Sequence, residues 1–176
     1  MTKYVALLRG IAPLNPQMRN EKLRGVLEDL GFQNVQSVIS SGNVLFESPR
    51  TDVTALQELI EKAWPEKLGF HSTTIIRSQK ELQEMIDRHP FGDVEHTPKN
   101  NLTVTFLKDR VPRKLPDRKD ARGYEMLGIR DGAVFSVVDL TTAKTPNLMA
   151  WLERELGKEI TTRTWLTVQR ILSKMQ

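Results

Sequence analysis

The chain switches between continuous, alternating and helical spacings of its apolar residues, and each switch marks an element. Residues 3–9 (KYVALLR) form an apolar, β-prone run that predicts a buried strand. Pro13 and Pro16 break the pattern, so residues 11–17 read as a loop. Leu23, Val26, Leu27 and Leu30 recur at helical spacing and Gly31 supplies a stop, which predicts a helix over residues 18–30. Two strands follow, over residues 35–40 and 44–47. Ser41, Gly42 and Asn43 form the turn between them, where Gly and Asn tolerate positive φ. Asp52 is placed to cap a second helix with an apolar face of Val53, Leu56, Leu59, Ile60 and Ala63, and Pro65 and Gly69 are read as its end. Residues 72–77 give a fourth strand. The order is βαββαβ, that of a ferredoxin-like sandwich.

The second half opens on a helix over residues 79–88, with Leu82, Met85 and Ile86 facing inward. A polar loop runs from Pro90 and Gly92 to Asn101, and an alternating strand covers residues 102–107. After the proline-punctuated segment 108–122, strands at 124–129 and 133–138 are joined by Asp131-Gly132, a strong hairpin signature. Thr145-Pro146 starts a helix with Leu148, Met149, Leu152 and Leu156 on one face, and Gly157 closes it. Thr161 or Thr162 is read as the cap of a last helix carrying Trp165, Val168 and Met175. The second half thus reads αβββαα. The predicted fold is α+β, with a ferredoxin-like subdomain over residues 1–77 and a second α+β subdomain over 78–176. No sequence repeat links them.

Composition narrows the chemistry. The 176 residues are 39% hydrophobic and 27% charged, which suits a globular chain able to bury a core. Cysteine is absent, which excludes disulfides, thiolate nucleophiles and Cys-ligated metals. No apolar run approaches a membrane span, and the N-terminal run of five apolar residues is too short for a signal-peptide core. The expectation is a cytosolic protein with no membrane partner and no cofactor.

The net charge is +4, and residues 108–122 alone hold seven Lys/Arg against three Asp. A nucleic-acid reading therefore narrows to this segment and to Arg113, Lys114, Arg118 and Lys119. Base stacking has little material, because Tyr4 and Phe46 are the only aromatics of the first and third strands.

Other motifs carry less. His89 and His96, with Asp93 and Glu95 between them, match no ligand spacing and read as surface histidines, so no metal site is expected. No G-x-S-x-G elbow surrounds a serine, and no phosphate-binding glycine motif occurs. Ser40 and Ser41 suit backbone bonding in a turn. Thr161, Thr162, Arg163 and Thr164 suggest an anion site at the start of the last helix. Trp64 and Trp165 read as core and Trp151 as an edge packing residue.

Three stretches together resemble a known family. They are KYVALLRGI at the start, the Ser41-Gly42-Asn43 turn after a strand, and TTRTWLTVQRIL at the end. They are similar to the bacterial family called domain of unknown function 1697, over nearly the whole chain. The resemblance implies two α+β subdomains, the first ferredoxin-like, and it implies no activity. The matching positions are Arg9, Gly10 and Ile11; Gly42 and Asn43 with Ser41; and Thr161, Thr162, Arg163, Trp165, Thr167 and Val168. The chain departs from the family at Ala12-Pro13-Leu14-Asn15-Pro16, where a glycine loop is usual, and at Thr164 and Leu166, where Asn is usual. Lys144 and Asn147 are kept before the penultimate helix.

The leading functional expectation is a small anionic or phosphorylated ligand. Arg9, Lys144, Thr162 and Arg163 would receive it between the subdomains, with Ser41 and Asn43 as further ligand-binding residues. The alternatives are nucleic-acid binding through residues 108–122 and an uncharacterised enzyme. For the enzyme the best candidates, Ser41, Asn43 and Arg163, lack a recognisable general base.

Overall fold

The computed structural model describes residues 1–40, 42–111, 114–115, 123–142 and 145–176. The elements are β1 (Thr2–Leu8), α1 (Asn20–Asp29), β2 (Gln33–Ser37), β3 (Asn43–Ser48), α2 (Val53–Leu68), β4 (Thr74–Ser78), α3 (Gln79–Asp87), β5 (Asn100–Leu107), β6 (Tyr124–Arg130), β7 (Ala133–Asp139), α4 (Thr145–Leu156), β8 (Ile160–Thr164) and α5 (Trp165–Met175). A 3-10 turn, Pro16–Met18, sits in the proline loop. Mixed α and β elements build two four-stranded antiparallel sheets, ordered β2-β3-β1-β4 and β6-β7-β5-β8. Two compact units result. One is Met1–Glu84 with Arg170–Gln176, and the other is Met85–Gln169.

In the first unit β1 lies between β3 and β4, so its run of apolar residues is buried on both faces. Tyr4, Ala6, Leu8, Val44 and Phe46 face α1 and α2, which contribute Leu23, Val26, Leu27, Leu56, Ile60 and Trp64 to one core. Asp52 caps α2 as expected, its Oδ1 accepting from the Ala55 amide at 3.1 Å. Pro65 does not end that helix. It lies inside, and only Gly69, at φ +78°, closes it. The buried Trp64, whose Nε1 donates to Thr74 Oγ1 at 2.9 Å, holds the turn that Pro65 weakens.

The second unit corrects the expected αβββαα order. Thr161, Thr162 and Arg163 do not cap a helix. They lie on β8, the edge strand paired to β5. Their polar side chains are satisfied within the sheet, so a strand accommodates them: Thr162 Oγ1 meets Thr105 Oγ1 at 2.7 Å and Arg163 donates to Thr161 Oγ1 at 2.7 Å. The cap of α5 is Thr164, whose Oγ1 accepts from the Thr167 amide at 3.2 Å.

With β8 restored, the second unit repeats the strand order of the first. The registers correspond as well. Val5 is opposite Arg77 and Leu45, and Val104 is opposite Arg163 and Phe135. Each of these arginines is buried and is followed by a hydroxyl residue that caps a helix, Ser78 for α3 and Thr164 for α5. The repeat lacks a counterpart of α1 among the described residues, and segment 108–122 stands at that point in the sequence. Where the first unit has Tyr4, Ala6 and Phe46, the second has Thr103, Thr105 and Ser136 at the matching register. All three hydroxyl residues are buried.

Candidate functional site

Two of the three motifs meet at one end of the first sheet. The Leu8 amide donates to Gly42 O at 2.9 Å, which pins the turn between β2 and β3 to the end of β1. Gly42 has φ +79°, and a Cβ there would lie 2.7 Å from Ile11 Cγ1. The Arg-Gly-Ile and Gly-Asn motifs are thus fitted to each other, and only glycine permits the approach. Arg9 is held by its backbone: its amide donates to Thr73 O at 2.9 Å, and Ser72 Oγ donates to its carbonyl at 2.8 Å. Its side chain is half-buried beside the exposed Gly10.

Asn43 is fully buried, and its Nδ2 donates to Val38 O at 3.0 Å while its own carbonyl accepts from the Val38 amide. Its side chain fastens the turn. Ile39, within the same turn, has φ +60°, a left-handed conformation that a β-branched residue adopts only under strain. Asn20 supports it by donating from Nδ2 to Ile39 O at 3.0 Å. Asn20, Ile39 and Ser72 carry no sequence signature; φ and partner are properties of the fold.

The third motif lies in the second unit up to Gln169, and its last residues, from Arg170, belong to the first. Arg163 donates from Nη1 to Thr161 Oγ1 and to Thr162 O at 3.0 Å. Burial pushes its guanidinium down to about 10, which still leaves it charged at neutral pH. Trp165 meets Phe91 edge to face, with ring centroids 5.1 Å apart, so the Trp of the motif is largely core. The motif therefore builds an edge strand, a helix cap and an aromatic contact.

The remaining candidates divide simply. Ser41, Lys144, Arg113, Arg118 and Lys119 lie outside the described residues. Lys114 is exposed, and Lys108 pairs with Glu159 at 3.6 Å. His89 and Glu95 are exposed and His96 is half-buried. Among the described residues no three His, Cys, Asp or Glu are grouped to hold a metal ion, and no helix is long and apolar enough to cross a membrane.

A chain of two small α+β units, each built on a four-stranded antiparallel sheet, is the class that this geometry defines. The family described as protein of unknown function, DUF1697, matches residues 1–135, and the chain belongs to that family. A solved structure with a similar fold is the conserved bacterial protein SP0830 from Streptococcus pneumoniae. The two chains share 18% identity at a TM-score of 0.72, over 99% of this chain and 98% of the other. Comparison with curated proteins gives no match.

Proposed function

We propose that the chain binds a small anionic or phosphorylated ligand at the Arg9 end of the first unit. The observation that supports this is the fitted junction of Arg9-Gly10-Ile11 with Gly42-Asn43, closed by the Leu8–Gly42 hydrogen bond. It joins the end of β1, just before Arg9, to turns that enter left-handed conformations at Gly10, Ile39 and Gly42. Such turns expose main-chain N–H groups, which suit an anion. Strain at Ile39 is the kind of feature that concentrates at binding sites. The reading takes the protein to be cytosolic, the compartment in which charged phosphate esters are retained.

A thermal-shift series with inorganic phosphate, nucleoside monophosphates and sugar phosphates tests the proposal. A ligand at ~100 times its Kd stabilises the folded chain by about 2.7 kcal/mol. Arg9→Gln removes that shift while the circular dichroism spectrum stays unchanged. Absence of a shift with every compound overturns the reading.

A further inference from the structure

We infer that the second unit carries a cleft for a small planar heteroaromatic molecule whose ring edge both donates and accepts hydrogen bonds, the nucleobase class. The cleft encloses about 420 Å³ between the end of α3, the loop that follows it, and the first turns of α5. That volume falls in the range of small-molecule sites. It is distinct from the Arg9 end of the first unit, so neither proposal depends on the other.

The apolar wall is braced. Phe91 and Trp165 are buried and meet at a 61° interplanar angle, and Phe91 meets Phe135 at 83° with centroids 5.8 Å apart. Two further lining residues stay in solvent: Val94 is 41% exposed and Leu166 48%. A flat apolar body laid across them would remove both from water.

The polar lining is mixed in character, and this selects the ligand. His96 Nδ1 accepts from the Leu102 amide at 3.2 Å, which assigns the proton to Nε2 and makes that atom a donor. Glu95 supplies an acceptor only, and Gln169 supplies both kinds of group. A bare hydrocarbon ring would desolvate the Glu95 carboxylate without replacing its partners. An anion would face that carboxylate. A neutral ring carrying an amino group and a ring nitrogen answers all three side chains.

The full chain is titrated with adenine, cytosine, purine and toluene, followed by calorimetry and tryptophan fluorescence. Adenine or cytosine binds saturably, and purine, which lacks the amino group, binds more weakly by about tenfold. Leu166→Glu weakens the base by about tenfold or more, the loss expected from an apolar contact. Its melting temperature stays that of the parent, because Leu166 is already half in water. Glu95→Gln reduces the preference for adenine over purine. The inference is overturned if neither base binds with a Kd below ~1 mM, if Leu166→Glu leaves binding unchanged, or if toluene binds as tightly as adenine.

Discussion

Replacing Gly42 by Ala separates two costs that the fold imposes on one residue. The first is conformational: at φ +79° an L side chain costs ~1–2 kcal/mol. The second is steric. The new Cβ would sit 2.7 Å from Ile11 Cγ1 and 3.1 Å from Leu8 Cβ, both inside ordinary contact. Leu8 cannot retreat easily. It ends the central strand, is 1% exposed, and is hydrogen-bonded to the turn through its amide. Overpacking of this kind costs ~1–3 kcal/mol, so Gly42→Ala should destabilise by about 2–5 kcal/mol in all. Gly10→Ala is the internal reference. Gly10 has φ +73° and nothing within 4 Å of a built Cβ, so it bears the conformational cost alone. Urea unfolding followed by circular dichroism reads the difference. At a slope of ~2 kcal/mol/M, a steric remainder of ~1–3 kcal/mol separates the two midpoints by about 1 M. The double variant Ile11→Ala with Gly42→Ala should lose less than the sum of its parts, because the 2.7 Å contact with Ile11 Cγ1 is gone while the one with Leu8 Cβ stays. Equal costs for Gly42→Ala and Gly10→Ala would refute the claim that the two motifs are fitted to each other.

Three more outcomes follow from the second unit. Thr103 Oγ1 is buried and finds no hydrogen-bond partner among the described residues, so Thr103→Val should stabilise by about 1 kcal/mol in thermal unfolding; Thr105→Val, which strands the Thr162 hydroxyl, should destabilise by about 1 kcal/mol instead. Hydrogen bonds from the Thr141 side chain and amide hold the Asp139 carboxyl below its usual 3.8, so whatever stability it lends is present above its unfolded value and lost as pH falls through the lowered one; Thr141→Val should move its titration upward in an NMR pH series, and an unchanged midpoint would contradict the assignment.

The corrected elements show what a linear pattern carries. Helix caps and stops depend on neighbours in sequence, so Asp52 and Gly69 are legible from residue type and spacing. Strand β8 is not. Ile-Thr-Thr-Arg-Thr offers four polar residues and no clean alternation, and its hydroxyls resemble a helix start. What makes it a strand is β5, more than fifty residues away in sequence, which supplies Thr105 for Thr162 and a backbone ladder for the rest. Missing that strand also hid the repeated topology of the two units, since the sequences share a register and not a pattern of residues.

Sequence alone determined the family, the α+β composition, the first βαββαβ order and the motif residues, because these rest on local spacing and residue type. Tertiary structure decided the roles. Asn43 became a buried clasp, Arg163 a strand residue charged under burial, and position 42 one where a Cβ would collide with Ile11. The cleft beside Trp165 also appeared only there, built from residues between positions 86 and 169. Each of these depends on which distant atoms share a space, and no spacing along the chain specifies that.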